Sequence, residues 1–211
     1  MDFTLWLSYI GVIGLLIIFP GPSALLCLSH GLTYGKAYAL ATVFGGAIAA
    51  LCLMSLSAIG LGAILAASGQ AFFIVKLIGA FYLIYLGFNL WRNSLNVIHL
   101  NTIEQVSNKT TSRFSLFKTG FIVGISNPKD LLFFAALFPN FIRIDQPQLM
   151  QFIILASSWF VLDMLFMFMY SSMGTKIEPW FLNKRQRFNR ATGGVFALLG
   201  GGLLLSSAQT L

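Results

Sequence analysis

Residues 5–28 read LWLSYIGVIGLLIIFPGPSALLCL, an apolar run interrupted only around Pro20-Gly21-Pro22. At ~1.5 Å per helical residue, such a run crosses a hydrocarbon core of about 30 Å. Proline removes a backbone donor and clashes with the preceding turn. Two prolines flanking Gly21 therefore open the helix and free several carbonyl and N–H groups. Lipid cannot satisfy those groups, so the break must face protein or water. Freed N–H groups at a half-helix start attract anions, and freed carbonyls attract cations. The alternative is a plain kink with no site.

Five more apolar segments follow, at Ala37–Ala67, Phe72–Leu90, Thr119–Phe138, Leu149–Met173 and Ala191–Ser207. Each is long enough to span a bilayer, and the overlong second one should tilt or project. The whole chain agrees with this reading. It has 211 residues, 57% of them hydrophobic and only 9% charged, where a soluble domain carries about 25% charged residues. A water-soluble enzyme is excluded, and 21 phenylalanines exclude disorder. Long uninterrupted apolar runs argue against a transmembrane β-barrel, whose segments alternate. The expected fold is an all-α integral membrane domain covering 1–211.

The net charge of +7 does not point to nucleic acid, because the basic residues sit between apolar runs. Six spans put both termini on one side. Ten lysines and arginines, from Lys36 and Arg92 to Arg187 and Arg190, fall on the opposite side, against Lys76 and Arg143 on the terminal side. The positive-inside rule then places both termini outside the cytoplasm. Cys27 and Cys52 lie within apolar segments without a CxxC or metal spacing, and read as packing residues. The N-terminus opens with Asp2 and lacks the basic stretch of a cleaved signal peptide.

The chain divides into two related halves, repeat 1 at about 1–92 and repeat 2 at about 114–211, joined by a polar loop at 93–113. Span 3, from Lys76 through Gly79 and Tyr82 to Gly87, matches span 6, from Arg190 through Gly193 and Phe196 to Gly201. Spans 1 and 4 match in their breaks, at Pro20-Gly21-Pro22 and at Asn127-Pro128. Three spans per half is odd, so the second half is inverted. The expected architecture is two inverted three-helix repeats with helices 1 and 4 broken, a pattern that points to a transporter with its site near the breaks.

Lys129, Asp130 and Asp163 lie within apolar segments, where a charge is costly unless paired or hydrated. Lys129 follows the second break directly. Asp163 sits midway along span 5, in Phe160-Val-Leu-Asp-Met-Leu-Phe, and should face the bundle interior. Two roles are open. Lys129 and Asp163 form a structural ion pair, or Lys129 binds a substrate carboxylate while Asp163 meets an amine or carries a proton. Asp130 is the weaker candidate. Gly45-Gly46, Gly60, Gly62 and Gly200-Gly201-Gly202 permit close helix contact. His30 and His99 receive no role. No metal cluster, phosphate loop or Ser/His/Asp set stands out, and no cofactor is expected.

At this point the motifs are recognisable. Phe19-Pro20-Gly21-Pro22, Gly60-Leu-Gly-Ala-Ile-Leu-Ala-Ala-Ser, Lys76-Leu-Ile-Gly79-Ala-Phe-Tyr-Leu-Ile-Tyr-Leu-Gly87 and above all Asn127-Pro128-Lys129-Asp-Leu-Leu-Phe133-Phe134-Ala-Ala-Leu-Phe-Pro139-Asn-Phe make the chain resemble the lysine exporter (LysE/RhtB-type) amino-acid efflux family over nearly its full length. The resemblance implies a bacterial inner-membrane exporter of amino acids or close derivatives, driven by the proton-motive force. It highlights Pro20, Gly21, Pro22, Asn127, Pro128, Lys129 and Asp163, with Ser23 beside the first break. Many members carry Gly-Asp in span 2, where this chain reads Ala49-Ala50. That departure leans the reading towards a neutral substrate of the threonine, homoserine or cysteine type. The expected partners are an amino-acid substrate, the lipid bilayer and a second copy in a homodimer, which the glycine-rich faces permit. The competing readings are a carrier for a metal cation or other ion, and a membrane scaffold that transports nothing.

Overall fold

A computed structural model of the chain describes residues 1–18, 20–67, 111–143 and 145–172, with individual helical positions between 70 and 88 and between 190 and 205. Among these residues every regular element is helical.

Helix α1 runs Phe3–Ile18 and starts where the Asp2 carboxylate accepts from Thr4 N at 3.0 Å. It stops because Pro20 and Pro22 cannot donate to its last turn. Helix α2, Pro22–Tyr34, begins on the second of these prolines, whose fixed φ suits a first helical position. The two are bent by 53°, so the first span is broken where the Pro-Gly-Pro reading places it. Gly35, at φ +79°, ends α2 in a conformation that favours glycine. Helix α3 follows at once, Lys36–Ala67. Its 32 residues make it about 48 Å long, well beyond a ~30 Å hydrocarbon core.

Helix α4, Arg113–Ile125, starts six residues before the apolar run at Thr119, because Ser112 caps it by accepting from Ser115 N at 3.1 Å. The polar first turns, with Arg113 and Lys118, carry the span out of the loop side. Helix α5, Pro128–Leu132, begins after Asn127, which accepts from Lys129 N. The span then departs from a plain helix. Phe133–Leu137 form a π-helical turn and Phe138–Phe141 a 3-10 turn. Pro139 cannot continue the ladder, so the backbone widens and then tightens. The displaced Phe134 carbonyl is served by the Ser57 hydroxyl of α3. Helix α6, Gln148–Ser172, is the fifth apolar segment almost to the residue. Gln151 fixes its entry by accepting from Arg143 N and donating to Arg143 O, both at 2.9 Å.

Lys36–Gly60 and Gln148–Ser172 are each long and apolar enough to cross a membrane, and the bent pair α1–α2 makes a third crossing if taken as one span. Most of spans 3 and 6, and the loop 93–113 apart from its last residues, lie outside the described residues. At the centre Trp159 of α6 stacks on Phe133 and meets Phe134, and Tyr9 closes the cluster by donating to Leu155 O at 3.2 Å. Large apolar side chains such as Leu56, Ile59, Val161 and Leu149 point outwards and are more than half exposed. A surface of this kind suits lipid rather than water.

Helices α3 and α4 touch backbone to backbone. A Cβ on Gly45 would strike the Phe117 carbonyl, and one on Gly120 the Thr42 carbonyl. From Thr42 to Ala49 in α3, the contacts advance from Gly120 to Gly124 in α4, so the two run in the same direction. The described positions of spans 3 and 6 meet reciprocally. Gly87 lies against Gly193 and Ala197, and Gly200 against Ala80 and Ile84. One constant offset carries Ala80 to Gly193, Ile84 to Ala197 and Gly87 to Gly200, and the two segments run antiparallel. This offset is one residue shorter than the one that aligns the two sequences.

Candidate functional site

The two prolines leave two carbonyls without their helical partners. In an α-helix the carbonyl of residue 16 would accept from the N–H of residue 20, and that of residue 18 from residue 22. Both partners are proline here. The structure fills both vacancies with side chains from the other half of the chain. Lys129 Nζ donates to Leu16 O at 3.2 Å, and Tyr170 Oη donates to Ile18 O at 2.6 Å. The carbonyls expected to await an amine are thus already occupied. Gly21 matters for this arrangement, because a Cβ there would sit 3.5 Å from both Cε and Nζ of Lys129.

The second break joins the first through Asn127. Its side chain caps α5 with its oxygen. Its nitrogen donates to Ser23 Oγ at 3.1 Å and to Asp130 Oδ2 at 2.8 Å. Ser23 stands in the first turn of α2, so the starts of both half-helices are tied to each other. Asn127 and Lys129 are buried. Pro128, at the first position of α5, sets the helix direction that sends Lys129 towards α1.

Asp163 is buried and faces inwards from α6. With Asp130, Ser23, Cys27 and Thr42 it lines a narrow cavity among α2 to α6. The charge of Lys129 acts on both Asp130 and Asp163, and Asp130 acts on Asp163. Two carboxyls therefore face one narrow space, under the influence of the Lys129 charge. The cavity holds about one water molecule, much less than an amino acid needs.

The structure thus gathers Pro20, Gly21, Pro22, Ser23, Asn127, Pro128, Lys129 and Asp163 around one region. Asp130, the weaker candidate, belongs to it as well. Two features escape sequence reasoning. Tyr170 reads as one more aromatic near the end of span 5, although two orphaned carbonyls require two donors and only one buried cation was in view. His30 shares a 2.6 Å hydrogen bond with Thr42, and no motif marks either residue.

Tyr170→Phe tests the carbonyl argument. It keeps the ring and removes one donor, so stability in detergent should fall by roughly 0.5–1.5 kcal/mol, the net worth of a typical hydrogen bond. An unchanged thermal unfolding midpoint would show that the Ile18 carbonyl has another partner.

The profile of the LysE type translocator family matches residues 15–207 of the chain. A homoserine/homoserine lactone efflux protein of Salmonella typhimurium is 37% identical over 211 residues, covering 99% of each chain. A membrane protein of Vibrio cholerae without an assigned function is 31% identical over 211 residues, 99% of this chain and 100% of its own. One from Pseudomonas aeruginosa is 29% identical over 206 residues, 96% and 94% of the two chains. No solved structure gives a significant match.

Proposed function

Since the chain belongs to the LysE type translocator family, and is a transporter rather than an enzyme, we propose that it exports homoserine or a closely similar small neutral amino acid, or a derivative of one, from the cytoplasm. The family and the efflux relatives support export of the amino-acid type. The observation that carries the site is the meeting of the two breaks, with Lys129 on the Leu16 carbonyl and Asn127 bonded to Ser23.

The cycle follows from what those groups can do. A substrate ammonium competes with Lys129 for the carbonyl end of α1, where a half-helix favours cations. The displaced Lys129 then faces the substrate carboxylate, together with the N–H groups that start α2 and α5. Ser23 and Asn127 offer hydrogen bonds to a side-chain hydroxyl. So narrow a cavity fits a transporter that opens to one side at a time, with the two halves rocking about the breaks. The reciprocal contacts of Gly87 and Gly200 support two inverted three-helix repeats as the moving units. Asp163 takes up a proton from outside as substrate leaves and gives it up on the cytoplasmic side, making the protein an antiporter. The setting is the bacterial inner membrane, with both termini non-cytoplasmic, and the glycine faces allow a homodimer.

The test is efflux from cells preloaded with labelled homoserine, homoserine lactone, threonine and lysine. Selective loss of the first three, absent from cells without the protein, is the expected result. With Asp163→Asn, export should no longer respond to an imposed pH gradient. An equal response in wild type and variant removes the proton role of Asp163. No efflux of any amino acid, with protein present in the membrane, turns the reading towards a metal or other ion, or a scaffold.

A further inference from the structure

His30 and Thr42 are buried polar groups that the cycle above leaves unused. Nδ1 of His30 and Oγ1 of Thr42 lie 2.6 Å apart, in hydrogen-bond contact between α2 and α3. Thr42 also lines the cavity that contains Asp130 and Asp163. In the other direction His30 is one helical turn from Tyr34, the last residue of α2, and the two rings meet edge-on at 5.5 Å. Beyond Tyr34 lies the exposed turn at Gly35 and Lys36. That turn is on the side where the basic residues gather.

We propose that His30 and Thr42 form a proton route between the acidic cavity and the cytoplasmic end of the protein. The inference rests on the proton-coupled export proposed above. Each member of such a route must accept a proton on one side and donate one on the other. A threonine hydroxyl does both, and a neutral imidazole carries one donor and one acceptor nitrogen. The sequence is carboxyl, cavity water, Thr42 hydroxyl, His30 imidazole, loop water. A proton leaving Asp163 protonates the water, which passes one to the hydroxyl, which passes its own to Nδ1. The imidazole releases a proton from Nε2 to the loop. Only O–H and N–H bonds exchange, and the net change is one proton moved from Asp163 to the aqueous side. Among the described residues, the groups facing this path are Cys27 and Tyr34 from α2, Asp130 from α5 and Asp163 from α6, with the Lys129 charge acting on both carboxyls and the Ser171 backbone packed on Gly31 beside His30. Helix α4 meets it with the backbone of Gly120 against the Thr42 carbonyl.

The same bond could serve only to hold α2 against α3, and the variants separate the two roles. His30→Asn keeps a side chain able to bond Thr42 but cannot relay a proton. Thr42→Val removes the hydroxyl at equal shape, and Thr42→Ser restores it. Purified protein in liposomes allows two readouts with labelled homoserine. Exchange against unlabelled homoserine at equal pH needs no net proton movement. Accumulation driven by an imposed pH gradient does need it. The expected result is normal exchange with lost gradient-driven accumulation in His30→Asn and Thr42→Val, and both activities in Thr42→Ser. Gradient-driven accumulation retained in His30→Asn overturns the route. Parallel loss of both activities in His30→Asn and Thr42→Val also overturns it, in favour of packing. Wild-type protein that exchanges no homoserine removes the export reading and the route with it.

Discussion

Replacing Lys129 with alanine should abolish export. The ammonium bonds the Leu16 carbonyl, and its charge acts on the buried carboxyls of Asp130 and Asp163. Removing one partner of a buried charge pair costs about 3–5 kcal/mol, and the carbonyl left without a donor adds roughly 1–3 kcal/mol. Part of that loss will appear as a lower unfolding midpoint, so efflux must be measured per molecule of folded protein in the membrane. Lys129→Arg separates charge from geometry. It keeps the cation but brings a longer, planar group to a place fitted to Gly21, so some folded protein with weak export is expected. Full export by folded Lys129→Ala would refute the assignment of Lys129 to the substrate.

Two adjacent glycines should respond in opposite ways. Gly45→Ala places a methyl group against the Phe117 carbonyl, a backbone atom that cannot move aside alone. The α3–α4 contact must then part along its length, and with it the wall of the cavity formed by Thr42, Gly46 and Gly120. Overpacking of this kind costs typically about 1–3 kcal/mol and occasionally more, and the protein should be scarce in the membrane or melt early. Gly46→Ala is the control. Its nearest neighbour would be the Gly120 carbonyl at 3.9 Å, an ordinary contact, so wild-type abundance and midpoint are expected. Thermal unfolding of both variants in one detergent decides the matter. Equal midpoints would mean that α3 and α4 do not meet through Gly45.

The breaks were legible in the sequence because a missing N–H is a property of the proline itself. Pro20, Pro22 and Pro128 announce where a ladder must stop, whatever surrounds them. The span at Gln148–Ser172 was legible for the same kind of reason, since hydropathy alone sets a crossing. Which donors answer the orphaned carbonyls was not. Tyr170 lies 152 residues from Ile18, and only the packed bundle brings them together. The π-helical and 3-10 turns at Phe133–Phe141 were hidden because their residues are as apolar as those of any helix. Hydropathy misses the start of α4 for the opposite reason, as Ser112 and Arg113 are polar and resemble loop. His30 and Thr42 gave no local sign, because a buried polar pair is recognised only when both partners are in place.

The size of the acidic cavity also bears on the cell's electrical economy. Across a bacterial membrane, each elementary charge that slips through is driven by about 2.3 kcal/mol per 100 mV. A space with room for about one water cannot hold the unbroken file of waters along which ions or protons would run from one face to the other. Between the described helices that line it, this cavity is therefore a break in any such file. A charge could pass through this cavity only once the helices around it part, so the voltage across the membrane finds no wire there.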